Sequence, residues 1–235
     1  MRRSLIQAER RYLADLPAGA NRSNYARTQF DALNKRKLRD LLYNEQKSLC
    51  VYCETPIRER HPPPPIDHWQ PLSAFSEHAL CWKNLYLSCS SPETCDGAKG
   101  DRSLRWDDSD APLPWPSDRR YEDLIGFTSF GEAYVRPDAG IDAAMRRALE
   151  LAIANQVVNN IERKSMLNLN HPHLREARAA AIESEIERIG RKFAGRRASP
   201  EEREQIATSM LAENPLASFI SIRVAFLRRQ LGKGK

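Results

Sequence analysis

Four of the five cysteines fall into two close groups, and this spacing restricts the possible folds more than any other feature of the sequence. Cys50 and Cys53 form a C-x-x-C pair, and Cys89 and Cys95 follow after 35 residues, with five residues between them. Two thiolates on a tight turn can bind one tetrahedral ion, and four thiolates complete a structural Zn²⁺ site. The alternative is burial without a metal, but cysteines that only pack have no reason to occur in two clusters. Cys81 is interpreted as a packing residue.

The composition is that of a folded chain with a mixed, slightly basic surface. Hydrophobic residues make up 41% of the 235 positions, enough for a sizeable core. The 37 basic and 31 acidic residues give a net charge of +6, which favours an anionic partner only modestly. No apolar run reaches the roughly 20 residues of a membrane span, and the basic start lacks the apolar stretch of a signal peptide. We therefore expect a cytoplasmic protein without membrane association, whose cysteines serve a metal rather than disulfides.

The pattern along the chain predicts an α+β fold in which a small metal-organised module is embedded in a mainly α-helical scaffold. Residues 1–49 form a helical segment, with a helix starting near Ser23. Residues 50–105 hold the cysteines and much Pro, Gly and Ser, the composition of a module that cannot fold on core packing alone. Residues 106–141 are a linker followed by a β-hairpin around Gly131, and residues 142–235 form a C-terminal helical domain.

Three features predict the helices of the C-terminal domain. Apolar residues recur at helical spacing in two stripes, Met145–Leu149–Ile153–Val157–Ile161 and Leu174–Ala177–Ile182–Ile186–Ile189. The stretch Ser199-Pro200-Glu201-Glu202 has the form of a capping box with proline at the first helical position. Pro215 is expected to open a last helix that continues through Leu231.

Polar residues between and after the cysteine pairs could carry out phosphodiester hydrolysis. This reaction needs a base that deprotonates water, a divalent ion that stabilises charge on the phosphate, and a group that aims the base. His68 is the candidate base, and Asn84 is the group that would fix its loop. Asp67 and Asp96 supply hard oxygen ligands suited to Mg²⁺ or Mn²⁺.

Two flanking features have an interpretation beside this site. Pro62 to Pro65 form a stiff, extended segment that either steadies the approach to His68 or simply spans a loop. Lys99, Arg102 and Arg105 follow the last cysteine and are predicted to contact phosphates of a nucleic acid, with plain solvation as the alternative.

The series of motifs resembles an HNH nuclease. The matching stretches are LRDLLYNEQKSLCVYCETPI, IDHWQPLS, WKNLYLSCSSPETCDGAKGDR and LNLNHPHLREAR, which together extend from Leu38 to Arg178. They are most similar to the HNH subunit of Septu-type antiphage defence systems and their retron-associated relatives. The resemblance implies a ββα-metal module in which a β-hairpin presents the base and a following helix presents a metal ligand. The third position departs from the HNH letters, because Asp96 replaces His or Asn, and Asp101 is an alternative ligand.

The resemblance also implies partners. In this family the nuclease is the effector of antiphage defence and is controlled by an ATPase subunit, joined in the retron variety by a reverse transcriptase with its non-coding RNA and DNA. We expect the residues beyond about Asp142, together with the N-terminal helix, to dock on the ATPase, with Leu216, Phe219, Val224 and Leu227 left uncovered for this contact. The competing hypothesis is a non-catalytic, zinc-containing module that binds nucleic acid, in which Asp67 and His68 are inert.

Overall fold

The described part of the chain is a mixed α+β structure of helices and short antiparallel hairpins. A computed structural model describes residues 22–58, 62–100, 121–153, 156–158, 161–163 and 165–228, together with positions 13 and 15. In chain order the elements are α1 (Arg22–Asp31), α2 (Lys35–Glu45), β1 (Ile66–His68), β2 (Leu85–Leu87), α3 (Cys95–Lys99), α4 (Tyr121–Leu124), β3 (Ile125–Phe127), β4 (Ala133–Val135), α5 (Ala143–Ile153), β5 (Gln156–Val158), β6 (Ile161–Arg163), α6 (Pro172–Lys192), α7 (Pro200–Ala212) and α8 (Ile220–Leu227).

Between Arg22 and Glu45 the structure has two helices where the apolar spacing predicted one. The break occurs at Asn34, whose side chain accepts a hydrogen bond from the backbone N–H of Lys37 and so caps α2. Leu38 and Leu42 form the buried face of α2. Asn34 therefore starts a second helix within the apolar pattern that predicted one continuous helix.

The described strands form three antiparallel two-stranded sheets, β1–β2, β3–β4 and β5–β6. In the first, His68 of β1 lies opposite Leu85 of β2. The second, β3–β4, is the hairpin predicted around Gly131 and is confirmed. Gly131 has a φ of +76°, and a Cβ there would lie 2.2 Å from the carbonyl oxygen of Arg175, so only glycine fits this turn.

The region after Asp142 differs from the predicted long helix. Helix α5 ends at Ile153, and β5 and β6 then pair with Val158 opposite Ile161. The prediction of one helix from Met145 to Ile161 is therefore wrong. The β-branched residues on both sides of Asn159-Asn160 are a hairpin pattern that the four-residue period concealed.

The later helices follow the sequence signals more closely. Helix α6 confirms that the second apolar stripe is helical, but only part of the stripe packs, since Leu174 and Ile182 are buried and Ile186 is 54% exposed. Helix α7 begins with the predicted capping box, in which Ser199 and Glu202 bond each other's backbone N–H groups. The last helix starts at Ile220 rather than Pro215 and ends at Leu227, with the predicted end at Leu231 outside the described residues. Pro215 instead follows a cis peptide bond with Asn214.

One hydrophobic cluster connects most of these elements. It includes Leu38 of α2, Leu87 of β2, Ile125 of β3, Leu149 of α5 and Ile222 of α8, all buried. The cysteine-containing region and the C-terminal helices therefore share a core. In the part of the chain with described structure, no helix has the length and apolar character needed to cross a membrane.

The predicted docking surface near the C-terminus is covered. Phe219, Val224 and Leu227 are buried, and Leu216 is half-buried against a second cluster formed mainly with α7. The prediction that this surface is left over for a partner is wrong, because α7 and the end of α6 pack against α8.

Candidate functional site

Four cysteines that are distant in sequence converge at one point. The sulfur atoms of Cys50, Cys53, Cys89 and Cys95 all lie within 4.8 Å of one another. The Sγ atoms of Cys53 and Cys89 are 3.9 Å apart, close to the roughly 3.8 Å edge of a tetrahedron with Zn–S bonds of about 2.3 Å. The cluster could therefore hold a metal ion such as zinc, as the cysteine spacing predicts.

Local backbone structure aims these thiols at one another. Cys50 and Cys53 lie on a turn that is tied back by the hydrogen bond from Glu54 N–H to the Cys50 carbonyl. The backbone N–H of Cys89 donates to the Cys50 sulfur over 3.3 Å. Cys95 starts α3 with a φ of +58°. The five residues between Cys89 and Cys95 form a loop that brings Cys95, at the start of α3, back to the turn of Cys50 and Cys53.

The crowded thiols perturb one another's acidity. Hydrogen bonds from Cys50 and Cys53 lower the pKa of Cys89, whereas contacts with Cys50 raise the pKa of Cys53 and of Cys95. Four thiolates this close together need a cation to stabilise their combined charge. Cys81 is half-buried and does not belong to the cluster.

His68 ends β1 with its ring almost completely buried. The ring is 8% exposed, and its Nε2 lies 3.0 Å from the carbonyl oxygen of Ala79. Burial lowers the pKa of His68 to about 4, while the Ala79 carbonyl partly opposes this shift. Because a carbonyl only accepts hydrogen bonds, Nε2 carries the proton, and Nδ1 of the neutral ring keeps a lone pair. His68 is therefore in the protonation state that a general base requires at neutral pH.

Asn84 is fully buried and fixes the loop between the two strands. Its Oδ1 accepts from the backbone N–H of Gln70 over 2.7 Å, and its Nδ2 donates to the carbonyls of Gln70 and His78, each over 3.0 Å. His78 directly precedes Ala79, whose carbonyl bonds the His68 ring. Asn84 thus positions both ends of the loop around His68, in keeping with the role proposed for it from the sequence.

Asp67 and Lys99 form a buried ion pair beside His68. The Lys99 ammonium is 2.9 Å from Asp67 Oδ1 and also donates to the His68 carbonyl over 2.8 Å. Tyr52 donates its hydroxyl hydrogen to Asp67 Oδ2. Burial raises the pKa of Asp67 to about 7, against the opposing effect of Lys99, and the charge of Asp96 raises it further.

This pair corrects one sequence prediction and changes the meaning of another. Lys99 is 1% exposed, so it cannot contact a phosphate as predicted and instead ties α3 to β1. Both oxygens of Asp67 already accept hydrogen bonds, so this carboxylate does not offer the free oxygen expected of a catalytic metal ligand. Lys99, the lysine of the CDGAKG stretch, is therefore an interior residue of the module.

Asp96 is the remaining predicted ligand within the described residues. It is half-exposed near the start of α3, and its backbone N–H donates to the Ser88 hydroxyl. Apart from the four cysteines, no group of three or more Cys, His, Asp or Glu side chains converges as a metal site in the described ranges. Asp101, Arg102 and Arg105 lie outside those ranges.

The structure adds groups that the sequence did not single out. Phe30 of α1 packs against the His68 ring edge to face, with ring centroids 4.5 Å apart. Tyr52 lies inside the C-x-x-C pair and reaches Asp67. A tyrosine between two ligand cysteines is a signal that could have been found, whereas the Ala79 carbonyl leaves no trace in the residue types.

The functional interpretation rests on the residues of this site. The chain matches no protein-family model, and no curated protein matches it significantly.

Proposed function

We propose that the protein is an HNH-like endonuclease that hydrolyses phosphodiester bonds in nucleic acid. The order of elements supports this proposal: hairpin β1–β2 is followed by α3, as in a ββα-metal module. His68 ends the first strand, Asn84 directly precedes the second, and Asp96 lies in the first turn of the helix. These are the positions that the HNH resemblance assigns to the base, the central Asn and the last ligand.

The single observation that carries the proposal is the state of the His68 ring. Its Nε2 donates to the Ala79 carbonyl, so Nδ1 is the ring atom that would take a proton from water. As that proton transfers, the water oxygen bonds to phosphorus, the bond to the leaving ester oxygen breaks, and the leaving oxygen takes up a proton from solvent. The ring is already neutral and the Ala79 carbonyl fixes its tautomer, so no proton has to leave the ring before this step.

Zinc is proposed as the structural ion of the cysteine cluster. The four sulfur atoms fit a tetrahedral ion. Together they join the turn of Cys50 and Cys53, the segment after β2 and the start of α3. Bound zinc would supply no chemistry to the reaction. It would hold α3, and with it Lys99 and Asp96, against the hairpin that carries His68.

A catalytic Mg²⁺ or Mn²⁺ remains a prediction from the resemblance. Such an ion would stabilise charge on the phosphate, and Asp96 is accessible as a ligand. The Asp67 carboxylate does not fit this use while Lys99 and Tyr52 occupy it. We therefore assign no reaction step to this ion.

The biological role is also proposed from the resemblance. We assign the nuclease to an antiphage defence system in which an ATPase subunit controls cleavage, with a reverse transcriptase and its RNA and DNA as further partners in the retron variety. Because the last helix is covered, the ATPase has to dock on another surface than the one expected from the sequence.

One observation favours the competing function, a non-catalytic zinc module that binds nucleic acid. The Asp67–Lys99 pair has the burial of a structural ion pair, with side chains 7% and 1% exposed. If Asp67 is structural, the site lacks one of its two predicted carboxylate ligands.

A cleavage assay separates the two functions. Purified protein is incubated with single- and double-stranded DNA, messenger RNA and tRNA, each with Mg²⁺, Mn²⁺ or a chelator, and alone or with the co-expressed neighbouring ATPase. The proposal predicts cleavage of at least one substrate. Binding without cleavage under every condition would favour the non-catalytic module.

A further inference from the structure

The N-terminal helix α1 is part of the His68 environment. Ala26 is fully buried against Ala79 and Leu80 of the loop between β1 and β2. Phe30, four residues later and so on the same face of α1, contacts the His68 ring. The helix therefore covers both the carbonyl that fixes the tautomer and the ring itself.

Two cations, Arg27 and Lys35, lie beside the contacts that α1 makes with the His68 ring and its loop. Arg27 follows Ala26 on α1 and is exposed. The Lys35 ammonium lies 2.8 Å from the centroid of the Phe30 ring and donates to the Phe30 carbonyl. Its carboxylate neighbour, Asp31, is 3.7 Å away with a side chain that is 65% exposed, a contact that solvent screens. Arg27 and Lys35 thus lie at the edge of the site, one on each side of Phe30 in sequence.

Electrostatics places both charges within reach of the base. Burial is the main cause of the lowered His68 pKa, and the charges of Lys99, Lys35 and Arg27 add to it. Of these three, Lys99 is 1% exposed and held by Asp67. Among the other cations of α1 and α2, Arg39 donates to the Pro64 carbonyl, and Arg22 lies 3.5 Å from Glu77.

We propose that Arg27 and Lys35 bind the phosphodiester backbone of a nucleic acid strand beside the bond whose hydrolysis His68 promotes. The inference rests on the proposed nuclease function and names the substrate-binding groups that Lys99 cannot supply. Arginine and lysine contacts to phosphates fix the register of a strand without reading its sequence. Helices α1 and α2 thereby supply substrate-binding residues to the nuclease.

The test compares two double variants that remove the same charge. Arg27→Gln/Lys35→Gln changes the proposed contacts, and Arg36→Gln/Lys37→Gln changes two exposed cations on the side of α2 opposite buried Leu38 and Leu42. Binding of short fluorescent DNA and RNA strands is measured by anisotropy over a range of salt concentrations, without added divalent ion. Each lost phosphate contact lowers the slope of log affinity against log salt by about 0.9 for duplex DNA and about 0.7 for single strands.

We expect the Arg27/Lys35 variant to lose between about 1.4 and 1.8 of this slope and to raise KM more than it lowers kcat, with the control variant unchanged. If the wild type cleaves but both variants keep its slope and KM, the inference is wrong and the nuclease function stands. If the slope difference is observed but the wild type never cleaves, Arg27 and Lys35 bind nucleic acid and the proposed nuclease function is wrong. If it neither binds nor cleaves, both are wrong.

Discussion

At the scale of single residues, a network of buried polar groups holds His68, and each member can be tested separately. The Ala79 carbonyl fixes the tautomer, Asn84 fixes the loop, and the Asp67–Lys99 pair ties α3 to the strand. The residue types His68, Asn84 and Asp67 could be predicted as a site from the sequence. Their partners could not, because a backbone carbonyl has no sequence signal and the burial of Lys99 depends on tertiary packing.

Removing one member of the ion pair is expected to be costly. Lys99→Met leaves the Asp67 charge uncompensated and should destabilise the protein by about 3–5 kcal/mol, whereas Asp67→Asn/Lys99→Met should recover much of this loss. Urea unfolding of the wild type and these two variants, with Asp67→Asn completing the cycle, measures the coupling. If the double variant is no more stable than Lys99→Met, the ion pair does not hold α3 in the way described.

The double variant also bears on the metal. Should Asp67→Asn/Lys99→Met fold and still cleave nucleic acid, Asp67 is a structural residue. Loss of cleavage in a folded double variant, recovered by raising the Mg²⁺ concentration, would instead return Asp67 to the role of metal ligand.

The protonation of His68 provides a second prediction at this scale. Burial lowers its pKa to about 4, so the ring should stay neutral as the pH falls through the ordinary histidine range. NMR of histidine-labelled protein should show one ring without a midpoint near 6.5 and with the Nε2–H tautomer at pH 6. Spectra of His68→Gln identify the signal. A midpoint near 6.5 for that ring would contradict the burial of His68.

At the scale of elements, the sequence was informative where a local rule decides the structure and uninformative where tertiary packing decides it. The capping box at Ser199 and the hairpin at Gly131 follow from backbone chemistry within a few residues. The four-residue stripe through Val157 satisfied a helical period, yet β5 and β6 pair as antiparallel strands with Val158 opposite Ile161. Periodicity alone cannot separate these outcomes when the apolar residues are β-branched.

The cysteine cluster provides the prediction for elements. Zinc bound by the four thiolates contributes folding free energy, so Cys50→Ser should lower zinc content and cooperative unfolding together. Cys81→Ser is the matched control, because Cys81 lies outside the cluster, and it should retain one zinc per chain. Elemental analysis with thermal unfolding measures both. Freshly purified wild type without zinc, or a Cys50→Ser variant that unfolds like Cys81→Ser, would contradict a structural zinc site.

At the scale of the whole molecule, one core joins the cysteine region to the C-terminal helices. Leu38, Leu87 and Ile222 belong to the same cluster although they come from the two ends and the middle of the chain. The apolar pattern of the last helix leads us to expect an uncovered surface there. It is covered because α7 packs back on it, a contact that only the three-dimensional structure reveals.

The shared core predicts which isoleucines matter. Ile222 is fully buried, whereas Ile186 is 54% exposed on α6. Ile222→Ala should destabilise the protein by about 2–5 kcal/mol, and Ile186→Ala should change stability by less than about 0.5 kcal/mol. Urea unfolding of both variants measures the difference. Equal effects would mean that the C-terminal helix does not pack in the common core.

The rate of cleavage by His68 variants tests the central claim most directly. His68→Gln retains a side-chain amide that can donate to the Ala79 carbonyl but has no base, and exposed His173→Ala is the control. In single-turnover assays on the substrate that the wild type cleaves, His68→Gln and His68→Ala should be slower by about 10²–10⁴-fold. His173→Ala should match the wild type, and all variants should keep their zinc. A folded His68→Gln variant that cleaves within a few-fold of the wild-type rate would contradict the account.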